Sequence, residues 1–219
     1  MRYGHAMSFD RRSFLLGTGA LALTGCGQRT PQAGANAVAE TQYIPAPGKA
    51  GRLLAAARRQ IGVTLRWDGA YSQIAFPGGD VPREKGSCTD VVVRAYRDAL
   101  GDDLQALVNA DMRQAFAAYP HSWGLTHPDS NIDHRRVPNL RTWFTRHGAS
   151  LPVPRDRSGW QPGDVFTSLV ENRSTHIGLV SDRRGPHGWL IIHNIGNGTR
   201  EEDALGDWPV TGRYRWGLA

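Results

Sequence analysis

Hydrophobic residues beyond about residue 48 follow a helical spacing first and a strand-like spacing afterwards. In the first half of this region they recur every three or four positions, which predicts amphipathic helices. The predicted helices are built on Leu53 to Ile61, Val91 to Leu100, Leu104 to Phe116 and Leu140 to Phe144. After Pro154 the pattern changes to short apolar runs separated by turn residues, which predicts strands. The predicted strands are Asp164 to Val170, His176 to Ser181, Trp189 to His193 and Val210 to Trp216.

Helices that precede strands favour an α+β fold, with N-terminal helices packed on a C-terminal antiparallel sheet. Residues 27–47 are rich in Gln, Ala, Pro, Gly and Thr and have few large apolar side chains, so we expect a flexible tether there. No internal repeat and no second break in composition follows. Residues 48–219 are therefore predicted to form a single domain.

The first 26 residues have the features of an export signal. Asp10-Arg11-Arg12-Ser13-Phe14-Leu15-Leu16 resembles the twin-arginine motif, and the apolar stretch Leu15 to Leu23 is too short to span a bilayer. The following Leu23-Thr24-Gly25-Cys26 resembles a lipoprotein processing box, which predicts cleavage before Cys26 and lipidation of its thiol. An ordinary signal peptide, cleaved at another small residue, is the alternative. Both interpretations predict export.

A lipidated Cys26 would anchor the protein to a membrane, because a bacterial lipoprotein carries several acyl chains. We therefore expect a periplasmic protein held at a membrane by its N-terminal lipid. Gly27 after the cysteine favours the outer membrane where the host has one.

The net charge of +6 does not point to nucleic acid, because the arginines are scattered and form no basic run. Removal of the leader before Cys26 takes away three Arg and one Asp, which leaves about +4 and suits an anionic polymer such as the cell wall. No glycine-rich phosphate motif is present, so no cofactor is predicted. His121, His127 and His134 are spaced by six and seven residues, which matches no metal-ligand pattern.

The candidate chemistry begins at Ser87-Cys88-Thr89-Asp90. Ser87 can cap a helix that starts at Cys88, and the positive end of the helix dipole would favour a thiolate, the nucleophilic form of cysteine. Gly86 would give a substrate room to approach. A small buried core residue is the alternative for Cys88. If Cys26 is lipidated, however, Cys88 has no disulfide partner in an oxidising compartment.

Two histidines near strand ends are candidates to serve this thiol. His176 opens one predicted strand and could take the thiol proton and return it to a leaving amine. His193 ends the next strand and could hydrogen-bond the second ring nitrogen of His176, with Asn194 as the substitute orienting residue.

This order of motifs resembles the NlpC-like papain-fold cysteine peptidases. The matching segments are Cys88-Thr89-Asp90, Gln161-Pro162-Gly163-Asp164-Val165-Phe166, His176-Ile177-Gly178 and Ile192-His193. From about Ala55 to Arg215 the chain more closely resembles the YijF-like bacterial family classed as domain of unknown function 1287. The segments that carry this resemblance are Asp80-Val81-Pro82, Asp111-Met112, Phe116 to Pro120, Asn131 to Leu140 and His193-Asn194-Ile195-Gly196.

The resemblance implies a papain-like arrangement and a Cys88, His176, His193 catalytic set. Two features depart from the NlpC pattern: Thr89-Asp90 replaces the usual Ser-Gly after the cysteine, and a helical insert of about residues 102–139 follows the nucleophile helix. In NlpC-like relatives an aromatic residue upstream of the cysteine supports the oxyanion. Tyr71 is the candidate here, with a core role as the alternative.

The insert and its surroundings supply candidate substrate-binding residues. Arg135 or Arg136 could form a fork with a substrate carboxylate, and Asp133 could hold that arginine. His134 lies in the same polar segment, and Asp90 could bind a substrate amine or an arginine. The alternatives are an internal salt-bridge network for the insert and favourable first-turn charge for Asp90.

The sequence therefore predicts an exported cysteine hydrolase that cleaves an amide bond of peptidoglycan stem peptides, a substrate implied by the NlpC-like resemblance. Its expected partners are peptidoglycan or its fragments and a membrane, with no nucleic acid, and no oligomeric state is predicted. Two alternatives stay open. One is a wall-binding lipoprotein without turnover, and the other is an acyltransferase that uses the same cysteine and histidine.

Overall fold

The computed structural model describes residues 41–219. Residues 1–40, which include the predicted signal peptide, Cys26 and most of the predicted tether, lie outside the described residues. Four helices come before most of a largely antiparallel sheet, so the prediction of an α+β fold is confirmed. None of the helices in the described part is long and apolar enough to cross a membrane.

The helices are α1 (Gly48–Arg58), α2 (Cys88–Leu100), α3 (Leu104–Ala115) and α4 (Val137–Arg146). Each overlaps a helix expected from the hydrophobic spacing. Short 3₁₀ turns cover Phe116–Ala118, Asp133–Arg135 and Arg157–Gly159. α2 ends at Gly101, whose φ of 76° lies in the left-handed region where glycine carries no steric cost.

The strands are β1 (Gln42–Tyr43), β2 (Arg66–Trp67), β3 (Lys85–Gly86), β4 (Ser150–Leu151), β5 (Val165–Val170), β6 (Ser174–Gly185), β7 (Gly188–Asn194), β8 (Thr199–Glu202) and β9 (Val210–Tyr214). The main sheet has the order β4-β9-β5-β6-β7-β8, with β1 paired to β6. β2 and β3 form a separate parallel pair. The sheet thus places β6 and β7, which carry the two candidate histidines, side by side.

The sheet separates two clusters of buried side chains. On one side, Ile177 and Leu179 of β6 join the core made by the helices, which includes Val91 and Val92 of α2. On the other side lies a smaller cluster of Trp160, Phe166, Val180, Trp189, Ile191, Ala204 and Leu205. Successive residues of a strand point to opposite sides of the sheet. Ile177 faces the helical core, so His176 and Gly178, the residues before and after it in β6, lie on the opposite face of the sheet.

Ordered structure begins before the expected end of the tether. The sequence predicts a tether to Pro47, whereas Gln42–Tyr43 pairs with Arg183 and Arg184 of β6. The Ala46 N–H also donates to the carboxylate of Asp182 at 3.1 Å. Because this pairing uses the main chain, the composition of the segment does not reveal it.

The predicted insert is helical only in part. α3 fills its first third, and between the 3₁₀ turn at Phe116–Ala118 and the one at Asp133–Arg135 the chain is irregular. β8 was not expected at all, because its sequence Thr-Arg-Glu-Glu has no apolar alternation. Both regions border the site described next.

Candidate active site

The main chain that leads into α2 is fixed from several directions. Gly86 pairs with Trp67 across the β2–β3 ladder. Its carbonyl accepts hydrogen bonds from the Asp68 N–H at 3.0 Å and from Asn194 Nδ2 at 2.8 Å. The Ser87 N–H donates to the Asp90 carboxylate at 2.6 Å, as part of a capping box. Cys88, the first residue of α2, therefore has a rigidly held backbone.

Gly86 has a different role from the one its position indicated. A Cβ atom at Gly86 would lie 3.0 Å from Arg94 Nη1 and 3.1 Å from Asp90 Cβ. Glycine is required here because a side chain would collide with the protein's own Arg94 and Asp90. The sequence position of Gly86 instead predicted room for a substrate.

The two candidate histidines are in direct contact. His176 Nε2 and His193 Nδ1 are 2.9 Å apart, and both rings are buried. The ring of Trp208 packs edge-on to His176, at 6.1 Å between centroids. A Cβ at Gly178 would come within 2.9 Å of His193 Cβ, so glycine allows β6 and β7 to bring the rings together. Within residues 41–219, Nδ1 of His176 has no hydrogen-bond partner.

Cys88 and His176 line the same cavity, which has a volume of about 270 Å³. The other lining residues are Trp67, Val170, Glu171, Ser174, Thr175, Asn194 and Ile195. Several segments distant in sequence therefore meet here: β2, the start of α2, the β5–β6 hairpin and the end of β7. No group of three or more His, Cys, Asp or Glu side chains within the described range is arranged to hold a metal ion.

Burial controls the ionisation of Cys88. It raises the pKa of the thiol to about 11, and the Asp90 charge acts in the same direction. The backbone of Ile177, Thr89 and Cys88 itself supplies hydrogen bonds that oppose the rise. The helix dipole favours a thiolate, but the loss of solvation on burial raises the thiol pKa by more than the dipole lowers it. Cys88 is therefore a thiol at neutral pH.

Burial acts on the histidines in the opposite sense. It lowers the pKa of His176 to about 3, with His193 adding to the shift, and the pKa of His193 to about 4, with Arg200 adding to it. Both rings are therefore neutral at pH 7. With a neutral thiol and neutral imidazoles lining one cavity, a preformed thiolate–imidazolium ion pair is not the resting state.

Asp90 and Arg135 are paired with each other and do not line the cavity. The guanidinium donates to both carboxylate oxygens at 2.9 Å, and it also donates to the carbonyls of Ala70 and Asp68 at 2.8 Å. Burial alone would raise the pKa of Asp90, but Arg135 holds it below its usual range. The substrate contacts considered for these two side chains are thus replaced by an internal fork.

The other candidates in the insert also lie outside the cavity. Asp133 accepts hydrogen bonds from Arg136 and from the Asp129 N–H. Arg136 lies over the ring of Trp123, at 4.1 Å from the centroid. His134 is buried, which lowers its pKa to about 4. These contacts match the alternative of an internal polar network that anchors the insert.

Tyr71 and Asn194 take positions other than those expected. Tyr71 is exposed, and its hydroxyl accepts a hydrogen bond from Asn131 at 3.1 Å. Trp67, and not Tyr71, is the aromatic residue that lines the cavity. Asn194 does not orient His176, because His193 makes that contact, and Asn194 holds the Gly86 carbonyl instead.

No site role was predicted from the sequence for Ile195 and Glu171, which line the cavity. Trp208, which packs on the histidines, is one of the tryptophans expected in the core or in the wall of a cleft. The turn before the strand of His176 had a sequence signal in Asn172, because asparagine tolerates the left-handed region. In the structure Glu171 and Asn172 form this tight turn, with φ values of 49° and 55°. The turn places the Glu171 side chain next to the histidine strand.

Fold and site together define an α+β protein with a buried cysteine at a helix start and a pair of bonded histidines. Comparison with known proteins then gives the family. A family model described as "Domain of unknown function (DUF1287)" matches residues 54–216, so the chain belongs to this family, as its motifs predicted. The chain is 53% identical over 161 residues to the "Uncharacterized protein YijF" of Escherichia coli (strain K12), which covers 73% of this chain and 78% of that protein. No solved structure matches this chain. The NlpC-like arrangement therefore stays a prediction.

The Asp90–Arg135 pair predicts a large stability effect. Asp90→Asn leaves the buried guanidinium without its counter-charge, so we expect the free energy of unfolding in urea to fall by about 3 kcal/mol. The additional change Arg135→Met should recover part of the loss. Glu84→Gln is the control, because Glu84 and Arg66 are exposed partners 3.7 Å apart, and it should cost less than about 1 kcal/mol. An Asp90→Asn variant as stable as the control would contradict the structural role.

The raised pKa of Cys88 predicts slow alkylation near neutral pH. In a Cys26→Ser chain, which keeps a single cysteine, the rate with iodoacetamide should continue to rise about tenfold per pH unit above pH 9, until the pH nears the raised thiol pKa of about 11. The same chain unfolded in urea should react faster at pH 8, and its rate should level off near the ordinary thiol pKa. A folded-state rate that reaches its plateau below pH 8 would show that the thiol pKa is not raised.

Proposed function

We propose that this protein is a cysteine hydrolase that cleaves an amide bond in peptides, with peptidoglycan stem peptides as its substrate. The observation that carries the proposal is that Cys88 and His176 line one cavity while His193 holds the far nitrogen of His176. A nucleophile, a base and a residue that orients the base are the parts that covalent acyl transfer requires.

In the proposed reaction, His176 Nδ1 takes the proton of Cys88 as Sγ attacks the carbonyl carbon of the substrate. The oxyanion lies near the first turn of α2, whose N–H groups have no acceptor within the helix. The C–N bond then breaks, and the imidazolium of His176 gives its proton to the leaving amine. Water attacks the thioester with His176 again as base, which releases the acid and restores the thiol.

The cavity walls indicate what part of a peptide enters. Trp67 and Ile195 present half-exposed apolar surface to the cavity. Glu171 is the carboxylate that lines it, and within residues 41–219 its side chain has no ion-pair or hydrogen-bond partner. Arg135 and Arg136 are occupied elsewhere. We therefore propose that the site binds a peptide through a free amino group near the scissile bond, in place of the carboxylate contact first expected.

Export would place this site beside its substrate. We propose that the N-terminal segment directs the chain out of the cytoplasm and that lipidation of Cys26 holds it at a membrane. A net charge of about +4 after loss of residues 1–25 suits an anionic wall polymer.

Digestion of purified wall fragments by the full chain tests the proposal. Mass spectrometry should show fragments with one added water for the wild type and none for Cys88→Ala. His176→Gln should lower the rate by roughly 10² to 10⁴-fold, the usual contribution of a general base. His147→Gln is the matched control, because His147 stacks on Trp143 away from the cavity, and it should keep wild-type activity.

The same experiment separates the alternatives. Fragments joined to an added amine or hydroxyl, with no added water, would indicate an acyltransferase. Fragments that cosediment with the protein but stay chemically unchanged, equally for wild type and Cys88→Ala, would indicate a wall-binding protein without turnover.

Glu171 predicts a preference for substrates with a free ammonium group. Glu171→Gln should raise KM for such a peptide about fivefold, the value of about 1 kcal/mol for an exposed ion pair, with kcat unchanged. The same peptide acetylated on that amine should be cleaved equally by both forms. Glu84→Gln, which changes an exposed carboxylate outside the cavity, should leave both KM values as they are. An equal KM change for the free and the acetylated peptide would rule out this contact.

A further inference from the structure

His193 has a second ring nitrogen that is buried and unpaired. The side chain is only 1% exposed, and within residues 41–219 Nε2 has no hydrogen-bond partner. A buried polar atom without a partner costs free energy, so its position calls for an explanation.

The proposed role of His176 fixes which nitrogen of His193 carries the proton. His176 must have Nδ1 free of hydrogen to accept the thiol proton, so its hydrogen is on Nε2. That N–H then donates to His193 Nδ1, 2.9 Å away. His193 Nδ1 is the acceptor, and its hydrogen is therefore on Nε2, the nitrogen without a partner.

Glu202 lies next to that unpaired N–H. It is on β8, the strand that pairs with β7 so that Arg200 is opposite His193. Glu202 Oε1 is 3.9 Å from His193 Nε2 and 4.0 Å from Arg200 Nε. The carboxylate is partly exposed and carried on a flexible side chain, so a movement of about 1 Å brings it to hydrogen-bond distance.

The neighbouring carboxylate on β8 is not available for this contact. Glu201 is held by Arg58 at 2.8 Å and Arg183 at 3.0 Å, and it also contacts Ser181. The charged and titratable groups that face His193 are thus His176 from β6 and Arg200 and Glu202 from β8.

We propose that Glu202 is a positioning residue for the reaction, and that it accepts a hydrogen bond from His193 Nε2–H to complete a Cys88–His176–His193–Glu202 chain. The bond fixes the tautomer of both rings. It also stabilises the positive charge that forms on His176 when Cys88 loses its proton. The transferred proton stays on His176 Nδ1, and none passes to Glu202. This inference rests on the proposed function, because the tautomer follows from His176 acting as base.

The first test reads the tautomer directly and needs no substrate. Long-range ¹H–¹⁵N spectra of the full chain at pH 7 should show His193 as the Nε2–H form, assigned by its loss in His193→Asn. In Glu202→Ala the ¹⁵Nε2 resonance of His193 should shift or the ring should populate the other tautomer, while Glu84→Gln leaves it unchanged. An Nδ1–H form in the wild type, or a His193 spectrum that Glu202→Ala does not alter, would overturn the proposal.

The second test uses turnover of wall fragments. Glu202→Ala should lower kcat about tenfold with KM unchanged, and Glu202→Gln, which keeps an acceptor oxygen, should lose less. Because a carboxylate favours a charged imidazole, its removal should also move the acid limb of the pH–rate profile to lower pH. A change in KM alone, or an acid limb that stays in place, would contradict a role through His193.

The outcomes of the two tests separate a failure of the proposed function from a failure of the Glu202 proposal. No turnover by the wild type on any wall fragment would count against the proposed function, whereas the tautomer spectra still decide whether Glu202 holds His193. Circular dichroism of each variant confirms that it is folded, which we expect because the Glu202 side chain is partly exposed.

Discussion

Asp90 is a buried carboxylate at which helix α2, the strand before it and the insert meet. It closes the first turn of α2 through the Ser87 N–H, and it holds Arg135 by both guanidinium nitrogens that face it. The same guanidinium fixes the carbonyls of Asp68 and Ala70, which follow β2 and its cavity-lining Trp67. One charge therefore sets the position of the cysteine and of one wall of the cavity. Removal of the Asp90 charge would leave the buried Arg135 guanidinium without a counter-charge and would loosen both the start of α2 and the segment after β2.

This arrangement has an electrostatic consequence for Cys88. Burial disfavours a thiolate and raises the pKa of Cys88, and the negative charge of Asp90, two residues away, raises it further. The pKa values of His176 and His193 move in the opposite direction, so thiol and imidazoles are all neutral at rest. In the proposed reaction the proton therefore moves only after a substrate has bound, when substrate and helix N–H groups can stabilise the charges that form. A buried, neutral thiol would also suit the proposed export to an oxidising compartment, because the thiolate is the form that oxidises.

Much of this fold could be predicted from the sequence, because α2, β6 and β7 have strong local patterns. The helix start at Cys88 follows from its cap, and the histidines follow apolar runs that end in polar residues. The partner of Arg135 could not be predicted, because it lies 45 residues away and a charged residue in a polar segment looks free. Glu202 could not be predicted as part of the site because β8 is a polar edge strand without apolar alternation. Only its pairing with β7, which the structure shows, brings Glu202 close to His193.

The two departures from the NlpC-like pattern are parts of one structural feature. Thr89 and Asp90 replace the usual Ser-Gly, and the insert is the second departure. In the structure, the Thr89 hydroxyl donates to the Arg135 carbonyl at 3.1 Å while Asp90 binds the Arg135 side chain. The insert thus attaches to α2 at Thr89 and Asp90. Without the insert these two side chains would lose their Arg135 contacts, and without Thr89 and Asp90 the Arg135 side chain would lose its counter-charge. The insert therefore affects the cavity only through the position of the cavity walls. The residues proposed to contact a substrate, Trp67, Glu171 and Ile195, lie outside the insert.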